Sequence, residues 1–331
     1  MLLRDLLAPV SAVVDVPLRT FDHPVESDHN RADSGARLVR MSDFGVRSMY
    51  APLKRVAVRT PTDGDFAFAG WRARPDLDRL RRQHAAFVEL LTELGAKVEV
   101  LDPTAGQVDS VFSYDAVFIT GRGAIVLNQA KPARHGEAEV MAADLERLGV
   151  PVIARLADLA PAHHSTAQPG TADGGDLMWL DDSTLALGRG FRTNEAAHTA
   201  LRAVLAEEGV ETISFDSPHG LGPDYCLHLM SYVSLIGPSI AVVFRPQLPT
   251  ALYQWLAERE LTLLDVDEDE YDRQGCNVLA TAPNQAVIFD GLPRITGALR
   301  DAGVDVHVTP GDQFCLGDGG PTCLTRPILR G

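Results

Sequence analysis

The chain is 331 residues long and 45% hydrophobic, enough apolar material for a large core and too much for a disordered polymer. Its 30 Lys and Arg stand against 45 Asp and Glu, a formal net charge of −15, which disfavours nucleic acid and anionic membranes as partners. The four cysteines, Cys226, Cys276, Cys315 and Cys323, include no Cys-x-x-Cys pair, so a disulfide framework and a structural zinc site are both disfavoured.

Asp5 interrupts what would be the apolar core of a leader at Met1-Leu-Leu-Arg-Asp-Leu-Leu, and the expected location is the cytoplasm. Residues 1–48, rich in Asp, Arg, His and Ser, read as an N-terminal extension, and 49–331 as a single domain. Lys54 to Val58 predicts a strand. Leu77, Leu80, Phe87, Val88, Leu91 and Leu94 then recur at helical spacing, and Gly95 stands where a C-terminal cap belongs.

The same signature of helix end, glycine and strand follows four more times. It reads Leu148-Gly-Val-Pro-Val, Glu208-Gly-Val-Glu-Thr and Ala302-Gly-Val-Asp-Val, and more weakly Arg259-Glu-Leu-Thr-Leu. Between these lie paired apolar runs: 116–120 with 124–127, 177–180 with 184–187, 232–235 with 240–244, and 278–280 with 286–288. The run from Leu227 to Phe244 is broken at Gly237-Pro238-Ser239, which makes it a hairpin and not a membrane span. Five strand, strand, helix, strand units predict an α/β ring with strands inside and helices outside; an open α/β sheet is the alternative.

Polar residues break the apolar pattern at a few places. Asp115 precedes the run Ala116-Val-Phe-Ile and could cap a strand or meet a cation. Arg134, in Pro132-Ala-Arg-His-Gly-Glu137 at the start of a helix, is either a solvated charge or a two-pronged anion clamp. In Asp173-Gly-Gly-Asp176, followed by Arg192-Thr-Asn194, one carboxylate can face a cationic substrate while Asp176 fixes the loop. The further oxygens of a calcium loop are missing. Cys226, His228 and Met230 would share one face of a strand, with no third and fourth ligand for a metal. Cys323 follows Gly319-Gly-Pro-Thr, where the glycines suit a thiol on a tight backbone with room for a ligand beside it.

Taken in order, Asp115, Pro-x-Arg-x-x-Glu, Asp-Gly-Gly-Asp, Arg-Thr-Asn, Leu-His-Leu-x-Ser, Cys-Asn-Val-Leu and Gly-Gly-Pro-Thr-Cys-Leu-Thr-Arg resemble the dimethylarginine dimethylaminohydrolase family of guanidino-group-modifying enzymes, from about Tyr50 to Arg330. The resemblance implies a five-bladed α/β propeller (the pentein fold) and hydrolysis of N-methylated arginine to citrulline and a methylamine. It implies catalytic roles for Cys323 as nucleophile and His228 as acid and base. Asp173 and Asp115 would hold the guanidinium, Arg134 and Arg192 the substrate carboxylate, with Asp176 counted among the substrate-binding residues. No metal or cofactor is implied, the partner is a small guanidino compound, and oligomeric state is open, a homodimer included. Arginine deiminases carry His-x-Asp where this chain has Met230, which favours a methylated guanidinium. An amidinotransferase, an arginine deiminase and a non-catalytic relative remain as alternatives.

Overall fold

In this computed structural model, which describes residues 43–159, 168–223, 225 and 227–331, the sheet structure is five three-stranded sheets built to one plan. Four are local in sequence. A short strand turns back antiparallel on a middle strand, and a helix then carries the chain to an outer strand parallel to the middle one. They comprise Val117–Ile119, Ala124–Val126 and Val152–Arg155; Leu177–Trp179, Thr184–Arg189 and Glu211–Asp216; Val233–Gly237, Ile240–Val243 and Thr262–Asp265; and Leu279–Ala282, Gln285–Phe289 and Asp305–Thr309. The remaining sheet joins the two ends of the described chain. Its middle and outer strands are Leu53–Arg59 and Lys97–Leu101, and its first position is taken by Arg326–Arg330, antiparallel to Leu53–Arg59.

Burial follows the plan. Val117–Ile119, Leu177–Trp179 and Val233–Gly237 are buried throughout, whereas the outer strands have alternating or partial exposure. The helices present one stripe to this core. In Leu77–Glu93 the buried positions are Leu80, Gln83, His84, Phe87 and Leu91, the spacing of a single helix face. Asp76 caps its start by accepting from the Arg79 amide, and Gly95 ends it at φ +89°. Gly149, Gly209 and Gly303 repeat that left-handed turn, and in the weak fourth unit Glu260 adopts it at φ +56°. The turn is therefore a property of the unit, retained where no glycine is present, at a penalty of about 1 kcal/mol.

Two arginines of the C-terminal strand tie the sheets together. Arg326, almost fully buried, donates to the carbonyls of Tyr114 and Val117 and stacks on the Tyr114 ring at 4.1 Å. Arg330 donates to the carbonyls of Ala51 and Ala280. Gly45 exchanges backbone hydrogen bonds with the same strand, donating to Ile328 and accepting from Arg330. All the described residues belong to one compact unit. No helix among them is long and apolar enough to cross a membrane.

Candidate active site

The loop that leads into the first strand of each sheet carries a polar residue, and all five of these residues line one cleft. Asp115 precedes Val117–Ile119, Asp173 precedes Leu177–Trp179, His228 precedes Val233–Gly237, Asn277 precedes Leu279–Ala282, and Cys323 precedes Arg326–Arg330. Five places far apart in sequence thus meet because five copies of one unit each contribute the same loop. Arg134, Arg192, Lys131, Asp109 and Met230 complete much of the wall.

Asp173 and His228 are in contact: Nε2 of the imidazole lies 3.1 Å from Oδ2 of the carboxylate. The second oxygen, Oδ1 of Asp173, is buried with no hydrogen-bond partner among the described residues. Asp115 accepts from the Gly175 amide at 2.8 Å and from Nη1 of Arg134 at 2.6 Å, and its Oδ1 lies 3.9 Å from Nδ1 of His228. Burial opposes ionisation of Asp115, but the positive charges of His228 and Arg134 and these two hydrogen bonds outweigh it and hold the carboxyl below the usual range. The donor atoms of Asp115, Asp173 and His228 lie within 4.8 Å of one another, close enough to surround a cation.

Close approach requires several of the loop glycines. A Cβ on Gly174 would come within 2.2 Å of the Tyr114 carbonyl, and one on Gly175 within 2.5 Å of His228 Nδ1. At Gly319 and Gly320 the space beside the backbone is filled, by the Phe112 ring and by Asn277 respectively. The sequence had suggested that this room was left for a ligand; packing against the cleft wall takes it instead.

Two other expectations change. His228 is not on a strand: it caps the short 3-10 turn Leu229–Ser231, its amide donating to Ser231 Oγ at 2.9 Å. Its proposed neighbour Cys226 lies outside the described residues. Asp176, read both as fixing its loop and as one of the substrate-binding residues, is not on the cleft wall. It sits behind it, accepting from the Leu229 amide at 2.8 Å and the Thr193 hydroxyl at 2.6 Å, and burial pushes its carboxyl up to about 6.

The two arginines also divide. Arg134 reaches the wall, but Nε donates to Glu137, Nη1 to Asp115, and Nη2 to the carbonyls of Asp109 and Phe112. Although Glu137 lies 2.8 Å from Arg134, burial pushes this acid up to about 7, so Asp115 is the firmer anionic partner. Arg192 differs: its Nε is buried without a partner, and no ion pair joins it to another described residue. Asn277, to which the sequence reading gave no role, donates from Nδ2 to Sγ of Cys323 at 2.9 Å. The two remaining described cysteines are buried enough that desolvation raises both thiols, Cys315 to about 12 and Cys276 further.

Residues 75–291 match the family described as N,N dimethylarginine dimethylhydrolase, eukaryotic. The chain belongs to the dimethylarginine dimethylaminohydrolase family. This is a family of enzymes within the guanidino-group-modifying superfamily, and its reaction is hydrolysis of methylated arginine. The dimethylarginine dimethylaminohydrolase of Pseudomonas aeruginosa is 23% identical over 275 residues, 82% of this chain and 98% of that protein. A solved structure of the Pseudomonas aeruginosa enzyme, a cysteine-to-serine mutant complexed with citrulline, superposes with a TM-score of 0.68 at 20% identity. It covers 85% of this chain and 100% of that one. The N-terminal domain of ArgZ, an arginine dihydrolase of Cyanobacteria solved bound to substrate, gives a TM-score of 0.70 at 19% identity, over 83% of this chain and 98% of that one. These likenesses establish the α/β fold. The family match ends before Cys323, so the cysteine stands on its position in the cleft.

Proposed function

We propose that the chain hydrolyses N-methylated arginine, asymmetric dimethylarginine or monomethylarginine, to citrulline and a methylamine through a covalent adduct on Cys323. The observation that carries this reading is the meeting of Cys323, His228, Asp173 and Asp115 in one cleft of a dimethylarginine dimethylaminohydrolase family member. In this reading the five sheets are the blades of a five-bladed α/β propeller, and residues 49–331 are its single catalytic domain. The common plan of the sheets supports this, as do the contacts of Arg326–Arg330 with Val117–Ile119 and of Leu53–Arg59 with Leu279–Ala282.

A guanidinium carbon is a weak electrophile because three nitrogens share its charge, so the site must hold the cation and supply a strong nucleophile. The unpartnered Oδ1 of Asp173 is placed to accept a guanidinium N–H, while Oδ2 keeps His228 oriented. Asp115, ionised under the influence of Arg134, supplies the second negative charge. The Cys323 thiolate attacks the central carbon and the C–S bond forms. The C–N bond to the methylated nitrogen then breaks as His228 protonates the departing amine. Water adds to the thiouronium carbon, His228 takes its proton, and the C–S bond breaks to release citrulline and the thiolate.

Arg192 is the cation left to bind the substrate carboxylate, and Arg134 serves by fixing Asp115. Buried Met230 on the wall supports a methylated substrate over arginine, because it offers no acceptor for the N–H that methylation removes. Cys323→Ser should abolish citrulline formation while far-UV circular dichroism stays unchanged. Mass spectrometry of the wild type quenched during turnover should find the adduct on Cys323. Turnover at the wild-type rate by the serine variant would refute the mechanism.

A further inference from the structure

Four of the five loops that enter the sheets are accounted for by the reading above. The fifth supplies Asn277, and its surroundings show a side chain held in one orientation. Oδ1 accepts from the Thr322 amide at 3.0 Å. A backbone N–H can only donate, so the oxygen must face Thr322, and the amide's other end, the NH2, faces Sγ of Cys323 at 2.9 Å. The side chain thereby grips the nucleophile and the residue preceding it at once.

Its frame is equally fixed. The Ser234 hydroxyl donates to the Cys276 carbonyl at 2.7 Å and accepts from the Val278 amide at 3.3 Å, bracketing Asn277 on both sides. Asn277 is itself buried, and a Cβ on Gly320 would come within 2.6 Å of its Cβ and Cγ. Gly320 is therefore the residue that lets the amide reach the sulfur.

We propose that Asn277 is the positioning residue of the nucleophile, donating Nδ2–H to Sγ of Cys323 so that the sulfur is held in the cleft as thiolate. The inference rests on the reading of Cys323 as nucleophile. An N–H donor stabilises S⁻ more than S–H, because the bond is stronger to the charged form. An amide achieves this without a net charge. A Lys or Arg in its place would also favour the thiolate, but would repel the guanidinium that must sit against the same sulfur. The carboxylates of Asp109, Asp115, Asp173 and Asp318 and the cations of Arg134, Arg192 and Lys131 line the same cleft, as does His228. The carboxylates oppose the thiolate and the cations favour it, but both are the same in every variant, so a difference between variants isolates the amide.

The test is the thiolate absorbance near 240 nm of the free enzyme as a function of pH, read as a difference from Cys323→Ala. It needs no substrate, and it does not depend on turnover. Asn277→Ala should shift the Cys323 titration upward by about 1–2 pH units. In the same variant kcat/KM at neutral pH should fall about 10–100-fold and recover as the pH is raised through the new titration. Gly320→Ala, which leaves Asn277 in the chain but displaces its amide, should shift the titration in the same direction and serves if Asn277→Ala does not fold. An unchanged titration in a folded variant of either kind would overturn the proposal. If instead Cys323→Ala retained activity, the nucleophile reading would fall, and the titration would still report whether the amide holds the thiolate.

Discussion

Asp173 divides its two oxygens between two tasks: Oδ2 lies 3.1 Å from Nε2 of His228, and Oδ1 is buried without a partner among the described residues. Leaving a buried carboxylate oxygen unmatched costs roughly 1–3 kcal/mol, so a ligand N–H that meets it would be favoured. That oxygen can accept a hydrogen bond, and a guanidinium is a planar array of donors.

Asp173→Asn tests this division. The amide would present an N–H where an acceptor is needed, either to the substrate or to the imidazole. We expect kcat/KM to fall by about 10²–10⁴-fold, with the melting temperature unchanged or raised. A loss of less than threefold, read by steady-state citrulline release, would remove Asp173 from the chemistry.

Arg192 and Arg134 should separate into a binding and a structural residue. Arg192→Ala should raise KM about 10–100-fold with little change in melting temperature, since that guanidinium holds no other described group. Arg134→Ala removes the partner of Asp115 and of Glu137, both buried, and should destabilise the fold by about 3–5 kcal/mol. Denaturant melts of the two variants beside their KM values would decide, and equal effects on stability would contradict the division.

How much of this was legible in the sequence differs by element. The helix over Leu77–Glu93 and its Gly95 stop follow from apolar spacing and cap chemistry, both local. So do the hairpins, whose apolar runs lie a turn apart. The pairing of Arg326–Arg330 with Leu53–Arg59 was not legible, because nothing in either strand names a partner at the other end of the chain. Among site residues, position on a loop could be read but commitment could not. Arg134 and Arg192 are the same residue type, and only the carbonyls and acids around Arg134 show that it is occupied. Cys-Asn-Val-Leu stood among the motifs of the resemblance, but Asn277 was given no role because it runs straight into the apolar strand Leu279–Ala282. The signal was its place in the repeat, one polar residue ahead of a hairpin, as with Asp115, Asp173 and His228.

The pH dependence of stability should carry the mark of Asp176. Burial raises its carboxyl to about 6, above the unfolded value near 3.8. The native state therefore binds the proton more tightly than the unfolded chain. This group's contribution to stability is greatest below about pH 4 and is lost as pH rises through about 6, until ionisation is nearly complete in both states above about pH 7. Asp176→Asn keeps an acceptor for the Leu229 amide and removes the titration. Relative to wild type, the variant should gain up to about 3 kcal/mol between pH 4 and pH 7, measured by paired denaturant melts at the two pH values. A constant difference between the two proteins across that range would contradict a raised carboxyl here.

The most direct test of the central claim is which bond of the guanidino group the enzyme cuts. Wild-type protein should be incubated separately with asymmetric dimethylarginine, monomethylarginine and arginine, with excess glycine in parallel samples. Citrulline, methylamines, ammonia and ornithine are then quantified by mass spectrometry. The account predicts citrulline together with dimethylamine or methylamine in equal amounts, little ammonia from arginine, and no effect of glycine. Preferential release of ammonia from arginine would make the protein a deiminase. Ornithine with a new guanidino compound formed from glycine would make it a transferase, and either result would contradict the proposed hydrolysis of methylated arginine.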